Sequence, residues 1–151
     1  MKRVVMGFGL AALAASAVGC GMMRGVGSRG SPTVGLISSP DVPAAQGAVA
    51  VKMDENGNTR VNVTVKHLAP ASKVKEGTAQ YIVWARPLDG PDRRPQNLGT
   101  LRVDGDLNGS LDAVTPLRQF DIFVTAEPLR IMGEPTGEQL LFARVSGQLP
   151  L

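Results

Sequence analysis

Cysteine, histidine, tryptophan and tyrosine each occur once in this chain of 151 residues, and phenylalanine four times. A single cysteine cannot close an internal disulfide. A single histidine, His67, leaves a zinc site or a nucleophile and base pair without partners at suitable spacing, and reads as a solvated strand-end residue. After the first eighteen residues no stretch approaches the roughly twenty apolar residues of a membrane helix. Excess charge is lacking too. The 16 basic and 13 acidic residues give +3, but Lys2 and Arg3 lie in the leading segment, and without them 14 basic residues face 13 acidic ones. With no clustered Lys/Arg face and little aromatic content, the footprint of nucleic-acid binding is missing.

What is present begins at the N-terminus. Lys2 and Arg3 precede an apolar run from Val4 to Val18 that is too short to span a bilayer comfortably and reads as a secretory signal. It ends in Ala17-Val18-Gly19-Cys20, which resembles the lipobox of bacterial lipoproteins, where a small residue precedes a cysteine that becomes lipidated. The resemblance implies acylation of Cys20 and anchorage to the lipid bilayer. One acyl chain binds a membrane only marginally and several bind stably, because each buried methylene contributes about 0.8 kcal/mol. Gly21, where an aspartate would signal inner-membrane retention, favours the outer membrane. Residues 1–19 are thus expected to be the signal peptide and residues 20–45 a lipidated tether rich in Gly, Ser, Pro and Ala. The tether contains Gly25-Val26-Gly27-Ser28-Arg29-Gly30, a literal dinucleotide-binding fingerprint without the strand and helix that give it meaning, so no cofactor is expected.

Residues 46–151 are expected to form one all-β domain. Val49, Val51 and Met53 alternate with small or polar residues, Asp54 to Asn58 make a turn, and Val61, Val63 and Val65 resume the alternation. Tyr81-Ile82-Val83-Trp84 is apolar on both faces and predicts a central strand under a second covering layer, with Trp84 as a core anchor. Strands are also expected at Leu98 to Asp104, Leu111 to Val114, Phe120 to Glu127 and Leu140 to Val145, with an edge strand at Val34 to Ile37. Six to eight short strands punctuated by Gly and Pro predict an antiparallel, Ig-like β-sandwich.

"YIVWARP", "NLGTLRVDG", "FDIFVTAEP" and "EPTGEQLL" together resemble the C-terminal extracytoplasmic domain of anti-sigma-K factors, over about residues 78 to 145. Thr125, Glu127, Pro128, Pro135, Thr136 and Gly137 match in order and spacing. The resemblance implies a β-sandwich outside the cytoplasm, with no catalysis to carry over. This chain departs from the family in carrying a lipidated cysteine where those regulators have a sigma-binding segment and a membrane helix.

Two further stretches carry possible chemistry. Ser72-Lys73-Val74-Lys75 fits the Ser-x-x-Lys of penicillin-recognising enzymes but lacks their companion motifs. Residues 104 to 112, "DGDLNGSLD", place Asp104, Asp106, Asn108 and Asp112 at positions that ligate calcium in an EF-hand loop, yet the twelfth position is Thr115 instead of glutamate and the flanks have strand period. A hairpin turn centred on Asn108-Gly109 or Gly105-Asp106 is expected, with no metal. The mixed-charge loop of Asp89, Asp92, Arg93 and Arg94 is expected to be a solvated turn. These readings point to a monomeric, non-catalytic envelope lipoprotein that binds an envelope protein or glycan, with a sensory or regulatory module as the alternative.

Overall fold

A computed structural model of the chain describes residues 31–130 and 133–147. Eight strands run in the order β1 (Thr33–Ser38), β2 (Gln46–Met53), β3 (Thr59–Lys66), β4 (Gln80–Pro87), β5 (Gln96–Val103), β6 (Gly109–Thr115), β7 (Phe120–Glu127) and β8 (Gln139–Val145), with a single helical turn, α1 (Ala71–Val74), between β3 and β4. All pairings are antiparallel, and the strands close into a barrel of order β1-β2-β3-β6-β5-β4-β7-β8. The all-β expectation and the strand positions hold. The Ig-like sandwich does not, because the two sheets are continuous through β1 and β5. Thr33 to Leu36 pair with β2 while Ile37 and Ser38 pair with β8; Tyr81 to Ala85 of β4 pair with β5, whose last residues Arg102 and Val103 pair with β6. Closure leaves no edge strand among the described residues for another chain to extend. It also moves the domain start: β1 lies inside the segment expected to be tether, and it is paired on both sides instead of forming an edge.

Period-two patterning decides which side chains enter the barrel. Val49 and Val51 of β2, Val61, Val63 and Val65 of β3, Tyr81, Val83 and Ala85 of β4, and Phe120, Ile122 and Val124 of β7 form one buried cluster. Eight strands enclose an interior just wide enough for such side chains to fill. The double-sided apolar character of β4 has a different cause from a second sheet. Its alternate residues Ile82 and Trp84 point outward and cluster with Phe123 and Phe142, and Arg86 stands 4.8 Å from the Phe123 ring centre. Trp84 is 0% exposed, so it is an anchor, but of this outer cluster and not of the barrel interior.

The β2–β3 and β5–β6 turns are built alike. In the first, Asp54 N–H donates to Asn58 O at 2.8 Å and Asp54 Oδ1 accepts the amides of Asn56 and Asn58; in the second, Asp104 N–H donates to Asn108 O at 2.9 Å and Asp104 Oδ1 accepts the amides of Asp106 and Asn108. Each needs one left-handed residue. Gly57 supplies it in the first turn at φ +80°, Leu107 in the second at φ +62°. A leucine there is strained by about 1 kcal/mol or more. The turn therefore centres on Gly105-Asp106, the second of the two positions expected for it, while Gly109 begins β6. Beyond the turns, β3 and β6 pair with Asn62 directly opposite Asp112.

Two measurements check this account. Leu107→Gly is expected to raise the unfolding free energy by about 0.5–1 kcal/mol, whereas Gly57→Ala lowers it by about 1 kcal/mol. Trp84→Ala is expected to cost about 3–5 kcal/mol in denaturant titration, enough to threaten a marginal domain. Stability unchanged in Trp84→Ala would contradict the burial of the indole.

Candidate functional site

The outward face of β7 carries Asp121, Phe123, Thr125 and Glu127, all buried although they lie outside the barrel interior. Such polar groups must find partners within the fold, because a buried carboxylate without them costs several kcal/mol. Glu127, at the end of β7 and 0% exposed, finds them in the loop that leads to β8. Its Oε1 accepts the Thr125 hydroxyl at 2.6 Å, the Thr136 amide at 2.9 Å and the Gly137 amide at 3.1 Å; its Oε2 accepts the Thr136 hydroxyl. The Thr125 hydroxyl in turn accepts the indole N–H of Trp84 at 2.9 Å. A hydrogen-bonded chain thus runs from the outer aromatic cluster to the β7–β8 loop.

The neighbouring residues fit that arrangement. A Cβ on Gly137 would stand 2.4 Å from Ala126 O, so no other residue lets the loop lie this close to β7. Pro128 O accepts the Gln80 side-chain amide at 3.0 Å, fixing the loop to β4. Burial raises the Glu127 carboxyl, but the hydrogen bonds from Thr125, Thr136 and Gly137 outweigh it and hold the group below the usual carboxylate range. Thr125, Glu127, Thr136 and Gly137, singled out in the sequence only for their order and spacing, therefore meet in space as a loop clamp. Their sequence separation hid that contact: only the return of the loop onto β7 reveals it. The clamp can hold a loop in place; with every oxygen of the carboxylate engaged, it offers no free base or nucleophile.

The remaining sequence-derived candidates are separated by the fold. Cys20 and the glycine fingerprint at residues 25 to 30 lie outside the described residues. Asp104 caps its own turn, and the amide of Asn108, with that of Asp106, holds its exposed carboxyl below the usual range against an opposing desolvation. Asp106 is exposed in the same turn, whereas Asp112 lies up the β6 strand, accepting the Asn62 side-chain amide at 2.7 Å across the sheet. Asp112 thus faces Asn62 and not the turn that carries Asp104, Asp106 and Asn108, and among the described residues no group of three His, Cys, Asp or Glu is placed to hold a metal ion. His67 is an exposed residue just after β3 with φ +57°. Ser72 and Lys73 sit exposed on α1. In the loop after β4, Asp92 forms an exposed ion pair with Arg94 at 2.9 Å.

Sequence reading missed two pairings that depend on register. Asp121 of β7 lies opposite Arg144 of β8 and accepts its guanidinium at 2.7 Å. Tyr81 donates its hydroxyl to Ala69 O at 2.6 Å, tying the β3–β4 crossover to the barrel, and burial pushes the phenol up to about 12. A cavity of about 400 Å³ opens beside it, lined by Pro70, Ala71, Gln80, Tyr81 and Arg102 among others.

The clamp makes stability pH-dependent in a definite direction. Because the folded-state carboxyl titrates lower than an unfolded glutamate, its contribution is full above the unfolded value of about 4.3 and fades as the pH falls through the lower, folded-state value. Glu127→Gln is expected to cost about 2–3 kcal/mol at pH 7, because an amide nitrogen then faces the donors. Chemical denaturation of both proteins from pH 7 to 3 should show that difference shrinking below about pH 4; a constant difference would refute the titration.

Comparison of the chain with protein-family models, with curated proteins and with solved structures finds no match, so the geometry is the ground on which its function is read.

Proposed function

We propose that this chain is a non-catalytic lipoprotein of the bacterial cell envelope, anchored in the bilayer by an acylated Cys20, with its barrel acting as a monomeric binding module for an envelope protein or glycan. The outer membrane is the preferred site, given Gly21 after the cysteine. One observation carries the binding-module part: the polar groups that the fold buries are used by the fold itself. Thr59 donates to Leu117 O, the Thr78 hydroxyl lies 2.8 Å from Ala71 O, Asp121 takes Arg144, and Glu127 takes its loop; no buried side-chain polar atom among the described residues lacks a partner. Catalytic groups are characteristically held with unmet capacity or perturbed toward reactivity in a cleft. Here the interior is filled with side chains, and the surfaces left to meet a partner are the loops and the outward sheet faces.

A second reading, an extracytoplasmic sensory or regulatory module acting on a membrane signalling partner, is supported by the motif shared with anti-sigma-K factors. The clamp gives that motif a structural role, which accounts for the resemblance without requiring the regulatory activity, so the first reading is preferred.

Cys20→Ala is expected to abolish metabolic palmitate labelling and to leave unprocessed or soluble protein; undiminished labelling would refute the anchor. Crosslinking in intact cells followed by purification of the full chain separates the two readings. Recovery of structural or secreted envelope proteins fits the binding module, and recovery of a transmembrane regulator fits the alternative.

A further inference from the structure

The barrel has two unlike ends, and the one where the chain enters is the more basic. Pro32 O accepts the amide of Val51 at 3.2 Å, which places the entry point beside Lys52 at the end of β2. Lys52 lies directly opposite Arg60 in the β2–β3 register, and both side chains are exposed. Like charges placed opposite each other in a ladder are destabilising unless an anion lies between them. Arg118, from the β6–β7 connection, reaches the same turn: its Nη2 stands 3.7 Å from the position of a Cβ on Gly57. None of these three cations has an ion-pair partner within 4.0 Å among the described residues. The nearby acids are Asp54, whose Oδ1 accepts the amides of Asn56 and Asn58, and Glu55, exposed at the turn's tip.

The asymmetry extends beyond that cluster. At the entry end (residues 52–60, 86–94, 116–121 and 144) there are seven basic and five acidic side chains, and two of the acids, Asp92 and Asp121, are held in ion pairs. At the other end (residues 41, 66–76, 102–106 and 127–138) there are five basic and seven acidic ones.

We infer that the entry end of the barrel, centred on Lys52, Arg60 and Arg118, docks on the anionic phospholipid headgroups of the membrane that holds Cys20. The inference rests on the lipoprotein reading. Eleven residues separate Cys20 from Pro32, a covalent reach of at most about 40 Å, so the basic end is the one the anchor holds nearer the bilayer and the acidic end faces away. A basic surface held that near a membrane is attracted to anionic lipid over roughly a Debye length, about 8 Å at physiological ionic strength. Docking would orient the barrel, presenting the β3–β4 crossover and the β7–β8 loop to the envelope space.

Trp84 is the sole tryptophan and serves as an energy-transfer donor. The acylated full-length mature protein is reconstituted in phosphatidylcholine vesicles, with or without phosphatidylglycerol, that carry a dansyl-headgroup acceptor. Transfer from Trp84 is expected to be roughly two-fold more efficient in the anionic vesicles, and to fall to the zwitterionic level in about 1 M salt, where the Debye length is about 3 Å. The Lys52→Glu/Arg60→Glu/Arg118→Glu protein should lose the difference, and Lys73→Glu/Lys75→Glu, at the far end, should keep it. Equal transfer in both vesicle types, or equal loss in the two variants, would overturn the docking. The mass of the same sample reports the acyl chains. A protein without them refutes the anchor, whereas an acylated protein indifferent to lipid charge refutes only the docking; the salt series gives the same answer without any substitution.

Discussion

Two short ladders hold the sheet closed, and most of the architecture follows from them. Ile37 and Ser38 of β1 pair with Phe142 and Leu141 of β8, and Arg102 and Val103 of β5 pair with Ser110 and Gly109 of β6. Each ladder is only two residue pairs long, yet each converts a sheet edge into a seam. Without them β1 and β8 would present unpaired backbone groups to solvent, the usual starting point for edge-to-edge association. With them the valines of β2 and β3 face the aromatic and aliphatic residues of β4 and β7 across one interior. The seams also explain why β1 must begin as early as Thr33: a chain that became ordered only at residue 46 would leave β2 and β8 with nothing between them.

The strand order has an internal regularity. Exchanging β1-β2-β3 with β4-β5-β6, and β7 with β8, leaves the circular order of the barrel unchanged. The two alike turns fall on equivalent hairpins, Asp54 corresponding to Asp104 and Asn58 to Asn108. At the β3–β6 contact Asn62 lies opposite its own counterpart Asp112, and the two side chains join in a hydrogen bond. A carboxylate at both positions would place like charges face to face, and the amide avoids this. Where the two halves differ most in chemistry, at Gly57 against Leu107, the second half accepts strain. Leu107 O accepts the amide of Leu68, a contact that secures the β3–β4 crossover.

Polar groups in this protein act mainly to hold chain segments against the barrel. Asp54 and Asp104 close turns, Tyr81 and Thr78 hold the crossover, and Glu127 gathers the β7–β8 loop. Such use of a carboxylate favours order over reactivity, because four donors stabilise its charged form and leave no lone pair directed at solvent chemistry. The barrel that results is a well-satisfied scaffold with differently charged ends. The described chain begins at the basic end, where Pro32 O accepts the amide of Val51.

Period-two alternation made the strands legible in advance, because a strand buried on one face must place apolar residues at every second position whatever its neighbours are. Gly and Pro marked the strand ends for an equally local reason. A turn within residues 104 to 112 could also be read locally, from strand-like flanks on both sides, but the Asp104 side chain that closes it on the amides of Asp106 and Asn108 could not. The tertiary structure decided everything that depends on which strands meet. Closure was invisible because a strand in a sandwich and a strand in a barrel bury the same alternate residues, and only the pairing of β1 with β8 and of β5 with β6 distinguishes them. For the same reason Trp84 was recognisable as an anchor but not as a member of an outer cluster, and Asp121 gave no sign that Arg144 lay across the ladder. Thr125, Glu127, Thr136 and Gly137 stood in the sequence as a pattern. They became a clamp only when the chain turned back on itself and brought amide donors within hydrogen-bonding distance of one carboxylate, a proximity that no local pattern encodes.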